Sequence, residues 1–180
     1  ADLRRQVERR SNTIAVRFDR ICTVLIALGY LTEGAERVTP AGAMLARIYS
    51  ELDLVAAEAI RAGVFDELTP AELAAVASSL TFESRGREQR APSRMPNRST
   101  EIAQSAVRHI WRDLSLMERD HKLEPGREPD IGFAEAVFEW ASGRDLAAIL
   151  AENDLTAGDF VRSMRMVIDL LGQLADAAGP

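Results

Sequence analysis

The stretch LTPAELAAVASSL, residues 68–80, contains the strongest helix start in the chain. Thr69 is a preferred N-cap residue, and Pro70 suits the first helical position because its missing N–H would have no partner there. Glu72, three residues after Thr69, completes a capping-box pattern. Leu73, Val76, Ala77 and Leu80 then recur at helical spacing. The stretch therefore predicts an amphipathic helix with a well-defined beginning.

Helical spacing of apolar residues also dominates on both sides of this stretch. Upstream it predicts a helix that ends near Gly29, a second that begins at Thr39-Pro40 and a third that begins with a capping-box-like Ser50-x-x-Asp53 and ends at Gly63. Downstream it predicts long helices over about residues 100–121 and 158–177, with two shorter ones over about 131–150. Predicted inward positions include Phe18, Ile21, Tyr49, Ile102 and Ile168. We therefore predict an all-α bundle of seven or eight helices, with at most one very short hairpin near residues 30–38.

Residues 84–99 interrupt this pattern. They contain one glycine, two prolines, five arginines and one glutamate, with Ala91 and Met95 as the only apolar residues. Such a composition is typical of a loop. We predict an N-terminal helix and turn over residues 1–39 and a bundle over 40–180 that carries this basic loop.

Composition narrows the class of protein. The 180 residues are 47% hydrophobic and 28% charged, which is typical of a globular domain. No apolar run approaches the roughly 18 to 20 residues of a membrane span, and no signal peptide is recognisable. The single cysteine, Cys22, cannot form an internal disulfide, so we expect a reducing, cytoplasmic setting and no membrane partner.

Charge is unevenly distributed along the chain. The net charge of -6 argues against a protein that coats nucleic acid with its whole surface. Residues 81–112, however, contain seven arginines against three acids, whereas residues 113–160 contain twelve acids against four bases. Local basic patches are therefore expected.

Motifs of enzymatic chemistry are missing from the sequence. It contains no GxxxxGK[ST], HExxH, GxSxG or CxxC string. His109 and His121 lie twelve residues apart, about 18 Å along one helix, which is too far to share a metal ion. We predict no catalytic residue and no metal site in this chain.

Arginines on the last predicted helix admit two interpretations. Arg162, Arg165, Asp169 and Gln173 follow one another at spacings of 3, 4 and 4, which makes one polar stripe. The stripe is either an ordinary solvated face with Arg–Asp pairing, or a surface on which guanidinium groups follow the phosphates of a single nucleic-acid strand. The arginines of residues 85–98 admit the same two interpretations.

Five strings, in this order, resemble a known family. They are LGYL (28–31), VTPAGAMLARIYSELDLVAAEAI (38–60), LTPAELAAVASSLTFESR (68–85), FEWASGRDLAAIL (138–150) and GDFVRSMRMVIDLLGQLADAA (158–178). The chain resembles the DSHCT domain, the C-terminal helical module of superkiller- and exosome-associated DExH RNA helicases. Its arginine- and alanine-rich composition is similar to that of the actinobacterial, HelY-type members.

The resemblance implies that this chain is one module of a larger helicase. In the family, the bundle packs on two RecA-like domains that hydrolyse ATP with Mg²⁺, and it helps to close a channel for single-stranded RNA. The chain itself lacks the phosphate-binding loop and the DExH box, so we expect no ATP hydrolysis from it alone and expect ATP and Mg²⁺ to belong to the parent helicase.

The resemblance also assigns site residues. The GxxxR position of the family's last helix maps onto Arg162, and a following basic position maps onto Arg165, where relatives often have two adjacent basic residues and this chain has Arg165-Met166. Glu83 matches an acidic position that faces the RNA path. We expect Arg85 and Arg87, in the basic loop, to bind RNA as well. Structural roles are expected for Trp140 and Gly143, which match a WxxG element, and for Gly158.

Two other classes of function stay open at this point. The order of helix, LGYL, short hairpin and VTPAG over residues 18–48 is also similar to pieces of winged-helix regulators that bind duplex DNA. A helical protein-interaction domain without any nucleic-acid role is the third possibility. Binding to single strands, binding to duplexes or no binding at low salt would separate the three.

Overall fold

The computed structural model describes residues 2–84, 93–153 and 155–179, with side chains from residue 13 onward. Within these ranges the chain forms eight α-helices: α1 (Asp2–Ala27), α2 (Pro40–Leu45), α3 (Asp53–Arg61), α4 (Pro70–Thr81), α5 (Arg98–Asp120), α6 (Ala134–Ala141), α7 (Leu146–Glu152) and α8 (Ala157–Ala178). A 3-10 turn lies at Glu33–Ala35, and in the described part of the chain the predicted hairpin is a single antiparallel bridge between Leu31 and Val38. The all-α prediction is confirmed.

Helix α4 lies at the centre of the bundle. The predicted capping box is present: the Thr69 hydroxyl accepts a hydrogen bond from the N–H of Glu72 at 3.4 Å, and the Glu72 carboxylate accepts one from the N–H of Thr69 at 2.8 Å. Residues 74–80 are all buried, and α4 packs against α5, α6 and α8. Five of these seven residues are alanine or serine, which lets three neighbouring helices approach closely.

Two hydrophobic clusters surround α4. The larger one contains Tyr30, Leu80, Val107 and Leu170, and the smaller one contains Phe133, Val137, Ile149 and Phe160. Phe133 stacks on Phe82 with ring centroids 5.3 Å apart and meets the edge of Phe160 at 5.5 Å. Because α4 and α8 contribute to both clusters, the end of α4 is held next to the first turns of α8.

A tight corner joins α1 to α2. The Thr39 hydroxyl donates a hydrogen bond to the carbonyl of Gly29 at 2.7 Å and accepts one from the N–H of Gly42 at 3.1 Å. Gly42 is buried so closely against this corner that a Cβ atom would lie 2.2 Å from the Tyr30 carbonyl oxygen. The buried Tyr30 ring is fixed in turn by its hydroxyl, which donates to Glu58 at 2.5 Å.

Five predicted inward positions are wrong. The exposed fractions are 64% for Phe18, 38% for Ile21, 80% for Tyr49, 61% for Ile102 and 55% for Ile168. Residues 13–19 of α1 are all exposed, and on α5 the buried side is formed instead by residues such as Ala103 and Val107. Apolar spacing locates a stripe on a helix, but the packing of other helices decides how much of that stripe is covered.

Candidate nucleic-acid interface

A groove runs along the outer side of α8, next to residues 81–83 at the end of α4. It consists of two adjoining clefts of about 270 and 190 Å³ that share Glu51, Thr81, Arg127 and Met166 as walls. Glu83, Asp159 and Arg162 lie at one end, and Tyr49, Asp169 and Gln173 lie at the other. We call this feature the α8 groove. From Arg162 to Gln173 it spans eleven residues of helix, about 16 Å.

Helix α8 turns its polar side to the groove because its opposite side is buried. The Thr156 hydroxyl caps the helix by accepting a hydrogen bond from the N–H of Asp159 at 3.1 Å, and Phe160, Met164 and Val167 pack into the core. Arg162 lies on the groove side, 3.4 Å from the Asp159 carboxylate, and its side chain is 62% exposed. An ion pair this exposed is weak, so the guanidinium of Arg162 can exchange Asp159 for another anion.

Arg165 lies beside the groove. It is exposed, follows Arg162 by three residues and is therefore rotated by about 60° around the helix axis, onto the outer rim. Its guanidinium makes no hydrogen bond or ion pair with any residue in the described part of the chain. The two predicted arginines thus occupy neighbouring strips of α8, one inside the groove and one on its rim.

The other half of the predicted polar stripe has a structural task. The Gln173 side chain accepts a hydrogen bond from the N–H of Tyr49 at 2.6 Å and donates one to Asp169 at 2.8 Å. Nearby, the Arg47 guanidinium donates to the carbonyl of Asp176 at 2.5 Å. These bonds hold residues 47–49 against α8. Within the polar stripe, Asp169 and Gln173 therefore have a structural role, whereas Arg162 and Arg165 are available to a ligand.

Glu83 reaches the groove through the end of α4. It is exposed and lines the same cleft as Arg162, although the two residues are 79 positions apart in the sequence. The neighbouring Phe82 ring, stacked on Phe133, holds this segment in place. The other two predicted RNA-binding residues, Arg85 and Arg87, lie outside the described residues.

Arg127 is a groove residue that the sequence did not suggest. Its Nη2 donates a hydrogen bond to the carbonyl of Leu80 at 2.7 Å and its Nε donates to Glu51 at 3.1 Å, with only 16% of the side chain exposed. Leu80 lies in the last turn of α4, where carbonyls have no partner within the helix. Arg127 therefore both completes the end of α4 and forms a wall of the groove. It lies in the proline- and glycine-containing stretch 123–130, where no helical pattern marks it.

Charges in the groove are mixed. Four carboxylates, from Glu51, Glu83, Asp159 and Asp169, face two guanidinium groups, from Arg127 and Arg162. This balance does not suit a chain of phosphates lying inside the groove. It suits nucleotide bases, whose amino groups donate hydrogen bonds to carboxylates while phosphates lie at Arg162 at one end of the groove and at Arg165 on its rim.

A larger cleft of about 760 Å³ lies along α5, but two of its arginines are already paired. Arg94 lies 3.2 Å from Glu135, and Arg108 lies 2.9 Å from Glu128. Both ion pairs are solvent-exposed, as is the one between Arg162 and Asp159. The α8 groove is the better candidate because two residues that the resemblance assigns, Glu83 and Arg162, line it together.

Residues predicted to have structural roles lie outside the groove. The Trp140 ring meets the edge of the Phe160 ring at 6.2 Å, although 41% of the residue is exposed. Gly143, just after α6, has φ +89°, a backbone conformation that residues with a side chain rarely adopt. At Gly158 a Cβ would meet nothing closer than the Thr156 hydroxyl at 3.9 Å, so sterics alone do not require a glycine there.

Two further features bear on the site. Among the described residues, no three His, Cys, Asp or Glu side chains are grouped so that they could hold a metal ion. None of the described helices combines the length and apolar character needed to cross a membrane.

The fold and the groove define a helical bundle whose last helix presents Arg162 in the same cleft as Glu83. The chain belongs to the DSHCT domain family: residues 35–180 match the family model described as the DSHCT (NUC185) domain. This confirms the resemblance found in the five sequence strings.

Helicases are among the proteins similar to this chain. It is 42% identical to the probable helicase HelY of Mycobacterium leprae, over 99% of this chain and 21% of that protein. It is 28% identical to the ATP-dependent RNA helicase mtr4 of Schizosaccharomyces pombe and 25% identical to the exosome RNA helicase MTR4 of Homo sapiens, over 86% of this chain in both cases. Those two alignments cover 14% and 15% of the relatives. The chain thus spans about a fifth or less of the length of these relatives.

Proposed function

We propose that this chain is the C-terminal RNA-channel module of an ATP-dependent DExH RNA helicase. It contacts single-stranded RNA along the α8 groove and packs on RecA-like motor domains of the same protein. Family membership supports the helicase context. The observation that carries the RNA proposal is that Glu83 and Arg162, selected by the resemblance from distant parts of the sequence, line one cleft.

The mixed charge of the groove suggests how a strand lies in it. Arg162 holds a phosphate at its end of the groove and Arg165 holds another from the rim, while the bases point inward, where Glu83 accepts hydrogen bonds from their amino groups. A length of about 16 Å accommodates roughly five stacked nucleotides at about 3.4 Å each. The phosphate contacts tolerate many sequences, as a strand passing through a channel requires, whereas the hydrogen bond to Glu83 requires a base with an amino group.

ATP and Mg²⁺ belong to the motor domains in this proposal. The name of the mtr4 relative describes an ATP-dependent RNA helicase. This chain has no GxxxxGK[ST] string, and its described residues contain no cluster of metal ligands. In this proposal the part of this chain is to hold and guide the strand.

Two structural observations disfavour the winged-helix alternative. The hairpin is reduced to one bridge, and α2 has only six residues, too few for a helix that reads a DNA groove. The guanidinium of Arg47, the basic residue just after α2, is engaged with the carbonyl of Asp176. Several expectations from the sequence remain predictions. They are a cytoplasmic location, the division of the chain at residue 39, RNA contacts of Arg85 and Arg87, and structural roles of Trp140, Gly143 and Gly158.

Fluorescence anisotropy with labelled single-stranded RNA tests the proposal. The double variant Arg162→Ala/Arg165→Ala is compared with Arg37→Ala/Arg119→Ala, which removes the same charge from exposed positions outside the α8 groove and the cleft along α5. Each lost phosphate contact lowers the salt slope of log K by about 0.7, so the α8 variant should lose affinity and about 1.4 of slope. The control variant should lose much less of both.

Each other outcome contradicts a specific part of the proposal. Unchanged affinity and slope in the α8 variant would remove Arg162 and Arg165 from the interface. Equal losses in both double variants would indicate attraction by overall charge, without a defined groove. Preference for duplex DNA would indicate a regulator, and no binding at low salt would indicate a protein-interaction domain.

A further inference from the structure

Tyr49 lies at the end of the α8 groove opposite Arg162. At 80% it is the most exposed large hydrophobic side chain in the described part of the chain. Its backbone is nevertheless fixed, because its N–H donates to Gln173 at 2.6 Å and the preceding residue, Ile48, is 3% exposed. The exposure of the ring is therefore a property of a well-anchored segment and not of a loose one.

The groove has an available guanidinium group near one end and an exposed aromatic ring, beside Asp169, at the other. Arg162 lines the first cleft, Tyr49 lines the second, and Met166, 49% exposed, lies on the wall that both clefts share. Proteins that bind single strands without sequence preference combine basic groups that follow the backbone with aromatic rings that stack on bases. The α8 groove contains both kinds of group within about 16 Å.

We propose that Tyr49 stacks on a base of the RNA strand bound in the α8 groove. The groove then holds phosphates at its Arg162 end and an unstacked base at its Tyr49 end. This inference rests on the proposed function, and it names one further binding residue of the same site. The phenol ring supplies flat apolar area, whereas its hydroxyl is not required for stacking.

Stacking and phosphate contacts can be separated by their salt dependence. A stacking contact adds affinity but releases no counterions, so its loss leaves the salt slope unchanged. We therefore expect Tyr49→Ala to weaken binding of a single-stranded RNA oligonucleotide by about fivefold or more, at every salt concentration. Tyr49→Phe, which retains the ring, should bind within about twofold of the original chain.

Two controls make the test specific. Phe18→Ala removes another exposed aromatic ring, on α1 and outside the groove lining, and should leave RNA affinity unchanged. An oligonucleotide of the same length whose sugars carry no bases should bind the original chain and Tyr49→Ala equally well. Melting curves by circular dichroism establish that each variant is folded before titration.

Several results would overturn the inference. These are an unchanged affinity in Tyr49→Ala, a loss that persists on the base-free strand, or a change in salt slope like that of the arginine variant. If the arginine variant loses affinity and Tyr49→Ala does not, the ring covers something other than RNA, such as a neighbouring protein domain, while the proposed function stands. If the original chain binds no single-stranded RNA at low salt, both proposals are wrong.

Discussion

Replacing Arg127 with methionine tests how the end of α4 is held beside the groove. The methionine retains an unbranched apolar stem but removes the guanidinium, which is largely buried and donates to the carbonyl of Leu80 at 2.7 Å. A hydrogen bond from a charged group is worth about 1.5–3 kcal/mol, and the ion pair to the exposed Glu51 adds at most about 1 kcal/mol. We therefore expect Arg127→Met to lower the free energy of unfolding by about 2–3 kcal/mol.

Urea and thermal unfolding, followed by circular dichroism, measure this effect. For a chain of this length the expected loss corresponds to a fall in Tm of about 5–10 °C. Glu51→Gln removes only the ion pair and should cost about 1 kcal/mol or less. The loss in Arg127→Lys should lie between those of Arg127→Met and Glu51→Gln, because a lysine ammonium lacks the planar, forked geometry with which the guanidinium bonds both partners. An Arg127→Met variant within about 0.5 kcal/mol of the original chain, or a Glu51→Gln variant that is destabilised as much as Arg127→Met, would contradict a role of the guanidinium in holding the end of α4.

Two further substitutions have expected outcomes. Gly42→Ala should destabilise the fold by about 3 kcal/mol in urea unfolding, since its Cβ would lie 2.2 Å from the Tyr30 carbonyl oxygen; an unchanged midpoint would contradict this. Burial raises the pKa of Glu118, and the Asp53 carboxylate raises it further, so stability is greatest while Glu118 is protonated and is lost as pH rises through its folded pKa. Glu118→Gln should therefore raise Tm at pH 7, with the difference from the original chain closing below about pH 4; a difference independent of pH would contradict the assignment.

Local signals in the sequence predicted the helix starts. Thr69 and Thr39 were expected at the starts of helices, and both hydroxyls accept backbone hydrogen bonds from the first turn. Capping depends on residues within one turn of the chain, so it can be recognised without knowledge of the fold. Burial depends on distant neighbours, which is why Phe18 and Ile102 were placed inward although both are more than half exposed.

The candidate site shows the same division. Arg162 and Arg165 were found from helical spacing, and Glu83 from the family resemblance, because each belongs to a recognisable pattern. Arg127 and Tyr49 became visible only in the structure. The first lies in a segment without periodicity and acts through a carbonyl 47 residues earlier, and the second lies in an apolar pattern that predicts burial.

Met166 connects the departure from the family pattern to the proposed strand path. Where relatives often have two adjacent basic residues, this chain has Arg165 followed by Met166, an uncharged thioether on the wall shared by both clefts. A methionine adapts its shape to flat apolar partners and adds no counterion release. In the proposed complex, the middle of the groove therefore contacts bases. Phosphates are contacted by Arg162 and by Arg165 on the rim. We therefore expect the RNA affinity of this module to depend less on salt than the affinity of a relative that has the adjacent basic pair.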